Sequence, residues 1–339
     1  MSTSEPPSAA DGVPIVPLAP LERGAQRVGR LRRLGAFAID LFVMAIPGHL
    51  LALAFHSTVS DWGLWGRLVG FVLAPLYLGV CASWITNGRS VGKRLLGTRV
   101  AMIDGGALSL GRGLARGMVL SFPYVLNGWL PPGASPRSSL VVAAFTTIVF
   151  CVGGSIAYLV LFDCRTGRGL HDLAVGSVVV AAAETLPLGT GRLPLIHRAA
   201  IALLFTMPTV SFFLLGGSAN PISAVLAPVN TLWQALSVDP RLFTVNVMHN
   251  TTTSAGGQHT SLTITAWVPS ALWGDESLVR ELAAAAIANY ASVAEPPQHL
   301  NVVLTRGYDL GVASAFSTRA WSKPWEEWRT AVEPTRSRN

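Results

Sequence analysis

The amino-acid sequence predicts an α-helical polytopic membrane bundle of about five transmembrane helices, followed by a small soluble α+β domain at the C-terminus. Three observations carry this. Half of the 339 residues are hydrophobic and only 13% are charged, against roughly 25% in an ordinary soluble protein, and mean hydropathy is +0.46. Apolar runs of about 20 residues, enough to cross a hydrocarbon core roughly 30 Å thick, recur through the first two-thirds of the chain and then stop. The charge divides at the same place: residues 1–200 hold 17 Lys/Arg against 9 Asp/Glu, and residues 201–339 hold 8 against 9.

In chain order, residues 1–27 are polar and Pro/Ala/Ser-rich. They lack the basic and apolar regions of a signal peptide and read as a disordered tail. A transmembrane domain is expected over 28–185. Its first span is 34–55, opening after Arg30, Arg32 and Arg33, and its second is 67–86, which holds Pro75. The third candidate, 114–130, is marginal in length and contains Pro123; it reads as a tilted span or a re-entrant segment. Residues 139–162 form a fourth span. A basic lead-in and a fifth span, 197–216, complete the bundle over 186–218.

Cytoplasmic loops collect Lys and Arg. With five spans, fifteen cations before the first span, between the second and third, and between the fourth and fifth face one side, and only Arg67 and Arg137 face the other. This places the N-terminus inside and the C-terminal domain outside the cell (inner) membrane. Without a third span the alternation breaks. Two further segments sit on the basic side. Residues 87–106 suggest an amphipathic element on the inner leaflet; GRSVGKRL is no P-loop, because it lacks the spacing and the Ser/Thr after Lys. Residues 173–183 are too short to span and read as lying at the interface or against the bundle.

Residues 219–240 read as a connector with a short interfacial helix at 223–236. The domain follows over 241–330: strands at 243–247 and 260–268, a helix at 275–292, and strands at 300–305 and 310–317 around a turn at 306–309. Trp321, Trp325 and Trp328 fall on one face of a final capping helix, and 331–339 reads as a tail.

Composition also excludes function classes. The basic excess belongs to the membrane part and no groove-reading element accompanies it, so no nucleic acid is expected as a partner. Cys81, Cys151 and Cys164 have no paired spacing and read as small hydrophobes. His249, His259 and His299 are dispersed without metal-binding spacing, so neither a metal nor a cofactor is expected. No nucleophile–base pair appears, and His171 and Asp172, as neighbours on a helix, point apart; an enzyme is disfavoured.

Asp40 stands out. A charge at the centre of a spanning helix costs about 2.5–3.5 kcal/mol on insertion scales, and Asp40 shares a helix face with Arg33, seven residues earlier. It reads either as a carboxylate that binds or relays a cation or proton, or as a structural ion pair. Three motifs then come in order: Arg33 with Asp40, SVGKRLLGTRV at 90–100, and the block from Asp163 through His171 to Asp172. Together they resemble the RDD family of membrane proteins over about residues 25–185. The family is named for one arginine and two aspartates, which match Arg33, Asp40 and Asp172. The resemblance implies a polytopic membrane protein, with some members linked to transport or cation/proton exchange. Lys93, Arg94, Asp163 and His171 within the motifs, and Arg116 between the second and third, are secondary candidates. One expectation is therefore exchange of a small cation, proton or other small solute at Arg33, Asp40 and Asp172; five spans without an internal repeat would then require a homo-oligomer. The alternative is a membrane scaffold or sensor whose external domain binds a partner.

Overall fold

The structure, a computed structural model, describes residues 28–127, 129, 139–163, 167–183, 193–215, 221–254, 257–291 and 296–336. The tail expected at 1–27 lies outside them. The first part runs α1 (Arg30–Ala54), α2 (His56–Ser60), α3 (Arg67–Ala82), α4 (Val91–Leu95), β1 (Thr98–Met102), α5 (Leu110–Leu126), α6 (Ser139–Phe162), α7 (Leu170–Val175), β2 (Ser177–Ala181) and α8 (Leu195–Leu215). Among the described residues, Arg30–Ala54 and Gly63–Ala82 are long and apolar enough to cross a membrane, while Thr147–Phe162 and Leu195–Met207 are shorter apolar helices. Phe42 and Leu53 are 73% and 76% exposed, whereas Asp40, Arg116 and Asp172 are buried. A water-soluble core would reverse that arrangement, and a lipid surround explains it.

Small residues bring α3 and α5 together. A Cβ on Gly79 would lie 2.7 Å from Leu114 Cα, and one on Gly117 would lie 2.7 Å from the Pro75 carbonyl. Gly113 and Gly117 form the small-xxx-small spacing that lets membrane helices approach. At the far end of α3, Arg67 donates to the Val125 carbonyl at 3.4 Å and to that of Asn127. These pairings make the two helices antiparallel and carry α5 along the length of α3. The α5 helix begins earlier than expected, after Ser109, whose hydroxyl accepts from the Arg112 amide at 3.4 Å. The α6 helix returns along α5, with Phe145 near Trp129 (ring centroids 5.6 Å apart) and Gly153 beside Pro123. The α8 helix returns along α6: Tyr158 Oη lies 3.0 Å from His197 Nδ1, and Cys151 Sγ donates to the Leu204 carbonyl at 3.0 Å.

One end of this bundle carries the charged residues and is capped by a small sheet. Here the structure corrects the reading of residues 87–106 as an amphipathic element on the leaflet. They form the short α4 helix and strand β1, which pairs antiparallel with β2, Val100 opposite Val179. The apolar run at 173–183 supplies that partner strand.

The C-terminal part comprises α9 (Pro221–Leu236), β3 (Thr244–Ser254), β4 (Gly257–Trp267), α10 (Glu276–Asn289), β5 (His299–Asp309), β6 (Ser314–Pro324) and α11 (Trp325–Arg336). The sheet order is β3-β4-β5-β6, with β4 and β5 parallel across the α10 connection and the other pairs antiparallel. Asp275 caps α10 by accepting from the Ser277 amide at 2.8 Å. Leu232 and Leu236 of α9, Leu282 of α10 and Trp328 of α11 pack with Leu262, Ile264 and Leu304 of the sheet in one core. The α9 helix is therefore part of this unit rather than an interfacial helix, and Trp233 Nε1 donates to the Val245 carbonyl at 3.0 Å. Trp321 lies in β6, so the three tryptophans do not share a helix. The α11 helix also covers 331–336, where a tail was expected.

The β5–β6 turn falls at 310–313, later than the expected 306–309, which remain in β5. Asp309 Oδ1 accepts from the Gly311 amide at 2.9 Å, and Gly311 has φ +74°. This turn enters the end of the bundle away from the charges. Tyr308, Leu310, Val312 and Ala313 share a core with Met44, Ala52, Ala74 and Val125. Glycines make the room: a Cβ on Gly48 would lie 2.8 Å from Ala313 Cβ, and one on Gly66 would lie 2.6 Å from the Asp309 carbonyl.

Candidate functional site

Asp40 sits on α1, about 10 Å along the helix from Arg33 at 1.5 Å per residue, yet the two side chains serve different partners. Asp40 is fully buried. Its Oδ1 accepts from Tyr77 Oη at 3.0 Å and from the Gly92 amide at 2.9 Å. Its Oδ2 accepts from Ser90 Oγ at 2.5 Å and Lys93 Nζ at 3.5 Å. The carboxylate thus receives the first turn of α4, where free amides favour a negative charge. Glycine is required at 92, because a Cβ there would collide with the Ala36 carbonyl.

Asp172 is the second buried carboxylate, and it gathers the opposite side of the same end. Its Oδ1 accepts from Arg116 Nε at 2.9 Å and Ser177 Oγ at 3.0 Å. Its Oδ2 accepts from Arg33 Nη2 at 3.1 Å and, from its place in the first turn of α7, the Gly169 amide at 3.1 Å. Arg33 also donates to the Gly167 carbonyl. One carboxylate therefore ties α1, α5, α7 and β2. Burial alone would raise the Asp172 carboxyl, but His171, Arg116 and Arg33 more than reverse this and hold it well below the usual carboxylate range. Burial drives the His171 ring down to about 3 against the pull of Asp172, so it is neutral at pH 7. Burial and the charge of Arg116 push the Lys93 ammonium down, and Asp40 opposes them.

Each carboxylate oxygen has at least two donors, and an ionised carboxylate offers about four lone-pair sites. The protein's own groups fill them. Of the secondary candidates, Lys93, Arg116 and His171 join these clusters. Asp163 is buried beside them, 3.9 Å from His197. Arg94 stays exposed and joins neither. Tyr77, Ser90, Gly92 and Ser177 were not among the candidates. Ser90 and Gly92 stand in the SVGKR motif, where a hydroxyl followed by a glycine at a helix start is a readable signal; Tyr77 and Ser177 carried none. Among the described residues no three His, Cys, Asp or Glu side chains come together as a metal-holding group.

Residues 27–176 match the RDD family. The RDD match takes in Arg33, Asp40 and Asp172 and ends before β2, α8 and the C-terminal sheet. It points to a membrane protein and assigns no activity. No curated protein matches the chain. Within the matched residues, Asp40 and Asp172 are thus bonded into separate clusters, with Arg33 on Asp172.

The other end of the bundle makes polar contacts with the C-terminal part as well as within itself. Arg67 Nε donates to Asp309 Oδ2 at 2.7 Å, and His49 Nδ1 lies 2.8 Å from Tyr308 Oη. The Arg67 and Asp309 side chains remain 20% and 13% exposed. They border a cavity of about 340 Å³.

Proposed function

We propose that this chain is a five-span membrane protein that holds its C-terminal α+β domain on the outer face, with the RDD residues acting as an internal clamp rather than a transport site. The N-terminus then lies inside, and the domain is the part that meets a partner. The observation that carries this reading is the β5–β6 turn, whose Leu310 is fully buried among α1, α3 and α5 at the end opposite Asp40 and Asp172. A domain anchored that way has a fixed orientation on its bundle. Exchange of a cation or proton would instead call for a carboxylate with free lone pairs, and Asp40 and Asp172 are both saturated.

The test is flux. Full-length protein reconstituted in vesicles is expected to carry no more Na⁺, K⁺ or H⁺ than empty vesicles. A wild-type flux that disappears in Asp40→Asn, with the variant still folded, would contradict the clamp and restore the exchanger.

A further inference from the structure

Between the two carboxylate clusters lies a cavity of about 270 Å³. Its polar wall consists of Arg33, Lys93, Thr98, Arg116 and His171. The rest is apolar, with Phe37, Leu120 and Val160 from α1, α5 and α6. Neither Asp40 nor Asp172 is on the wall, because both are turned into the bonds described above. Three cations therefore line the wall, and the two carboxylates that pair with them lie off it.

The wall also has unspent hydrogen-bonding capacity. An ammonium has three N–H donors; Lys93 directs Nζ at Asp40 and Ser90, which leaves the third. Arg116 spends Nε and Nη2 on Asp172, leaving Nη1 without a partner among the described residues. The Thr98 hydroxyl and His171 Nδ1 are buried without a hydrogen-bond partner, in residues 0% and 5% exposed. Buried polar groups are as a rule hydrogen-bonded. Two such groups on one small wall, beside an ammonium and a guanidinium with donors to spare, describe a binding site.

Their chemistry specifies the ligand. Lys93, Arg116 and Thr98 call for anionic oxygens. His171 Nε2 lies 3.4 Å from Asp172 Oδ2, and the unpartnered Nδ1 of the neutral ring is matched in either tautomer by a hydroxyl, which can both donate and accept. Leu34 and Leu161 also line the cavity and are 41% and 47% exposed, so its mouth is framed by apolar surface. The volume falls below the roughly 300–1,000 Å³ of sites for drug-sized ligands and suits a headgroup rather than whole acyl chains. We propose that this cavity binds the headgroup of an anionic phospholipid bearing a hydroxyl, a glycerol phosphodiester, with its chains lying over Leu34 and Leu161. Under the five-span reading this end faces the cytoplasmic leaflet, where anionic lipids concentrate.

Full-length protein is incorporated into phosphatidylcholine vesicles containing a minority of phosphatidylglycerol, extracted in mild detergent, and weighed by native mass spectrometry. One phosphatidylglycerol per chain is expected, enriched about tenfold over its share in the vesicle. Phosphatidylmethanol, anionic without the hydroxyl, is retained about threefold less. Thr98→Val breaks no bond within the protein, so it leaves the unfolding temperature in place and lowers the enrichment about fivefold. Val160→Phe narrows the cavity and abolishes retention. Excess inorganic phosphate leaves the bound lipid in place. Equal retention of phosphatidylcholine and phosphatidylglycerol, or no effect of either variant, would overturn the site. Equal retention of phosphatidylmethanol would overturn the hydroxyl, and displacement by inorganic phosphate would overturn the lipid. The inference rests on the membrane reading, whose failure is distinct: the protein would then not enter the vesicles at all.

Discussion

The two ends of the bundle use charge in opposite ways. At one end Asp40 and Asp172 are completely buried and saturated by four helices and a strand. At the other, Arg67 and Asp309 pair at a partly exposed seam, while apolar packing around Leu310 makes the joint. A buried charge network is costly to assemble and far more costly to break by half. A single pair at a partly exposed seam contributes less than such a network. The first arrangement fixes which helices belong together. The second fastens a domain that has its own core.

The sharpest test of this contrast is Asp172→Ala. It strands Arg33 and Arg116 in a buried site and should cost about 3–5 kcal/mol, read as loss of folded protein by size exclusion in detergent. If the variant is as stable as the wild type, the near end is no clamp. Leu310→Ala should also be large, about 2–4 kcal/mol for a buried leucine, but its effect should stay local. Protease should release the C-terminal domain while the bundle keeps its unfolding temperature. Joint unfolding of both parts would mean that the two ends are not separable.

Acid should act through the charged end. Below pH 6.5 the unfolded chain protonates His171, whereas the folded chain holds the ring neutral down to about 3. Stability should therefore fall as pH drops through that window, by up to about 1.4 kcal/mol per unit. Asp172 has a depressed folded value, so its contribution is intact above the ordinary carboxylate range and is lost only as pH falls below it. Thermal unfolding of His171→Gln between pH 6.5 and 5 should show a flatter profile than wild type; an identical slope would remove His171 from the account. The smallest effect belongs to Asp309→Asn, about 0.5–1 kcal/mol or less and diminished by salt, seen as slightly faster proteolytic release of the domain.

Much of this architecture could be read before folding. The apolar runs mark α1 and α6, the alternation SLTITAWV marks β4, and an intramembrane Asp40 marks a buried polar site. The partners of that site were hidden, because Tyr77 and Ser90 lie 37 and 50 residues from Asp40 in sequence. The β1–β2 pair was hidden for a related reason: two five-residue strands with α5, α6 and α7 between them carry little periodicity of their own. The turn at 306–309 was misplaced because Arg306-Gly307 resembles a loop, while Gly307 is held within β5 and the left-handed residue of the real turn is Gly311. Arg33 and Asp40 share a helix face, but spacing along one helix says nothing of which neighbour each will meet.

The central claim, that the charged clamp and the anchored domain occupy opposite faces of a membrane, is tested most directly by two-sided labelling. With the native cysteines replaced by alanine, a single cysteine is placed at Gln258, exposed in the β3–β4 hairpin, or at Ala107, exposed beside the charged end. A membrane-impermeant maleimide should label Gln258→Cys in intact cells and Ala107→Cys only after permeabilisation. Labelling of both positions from the same side would contradict the account.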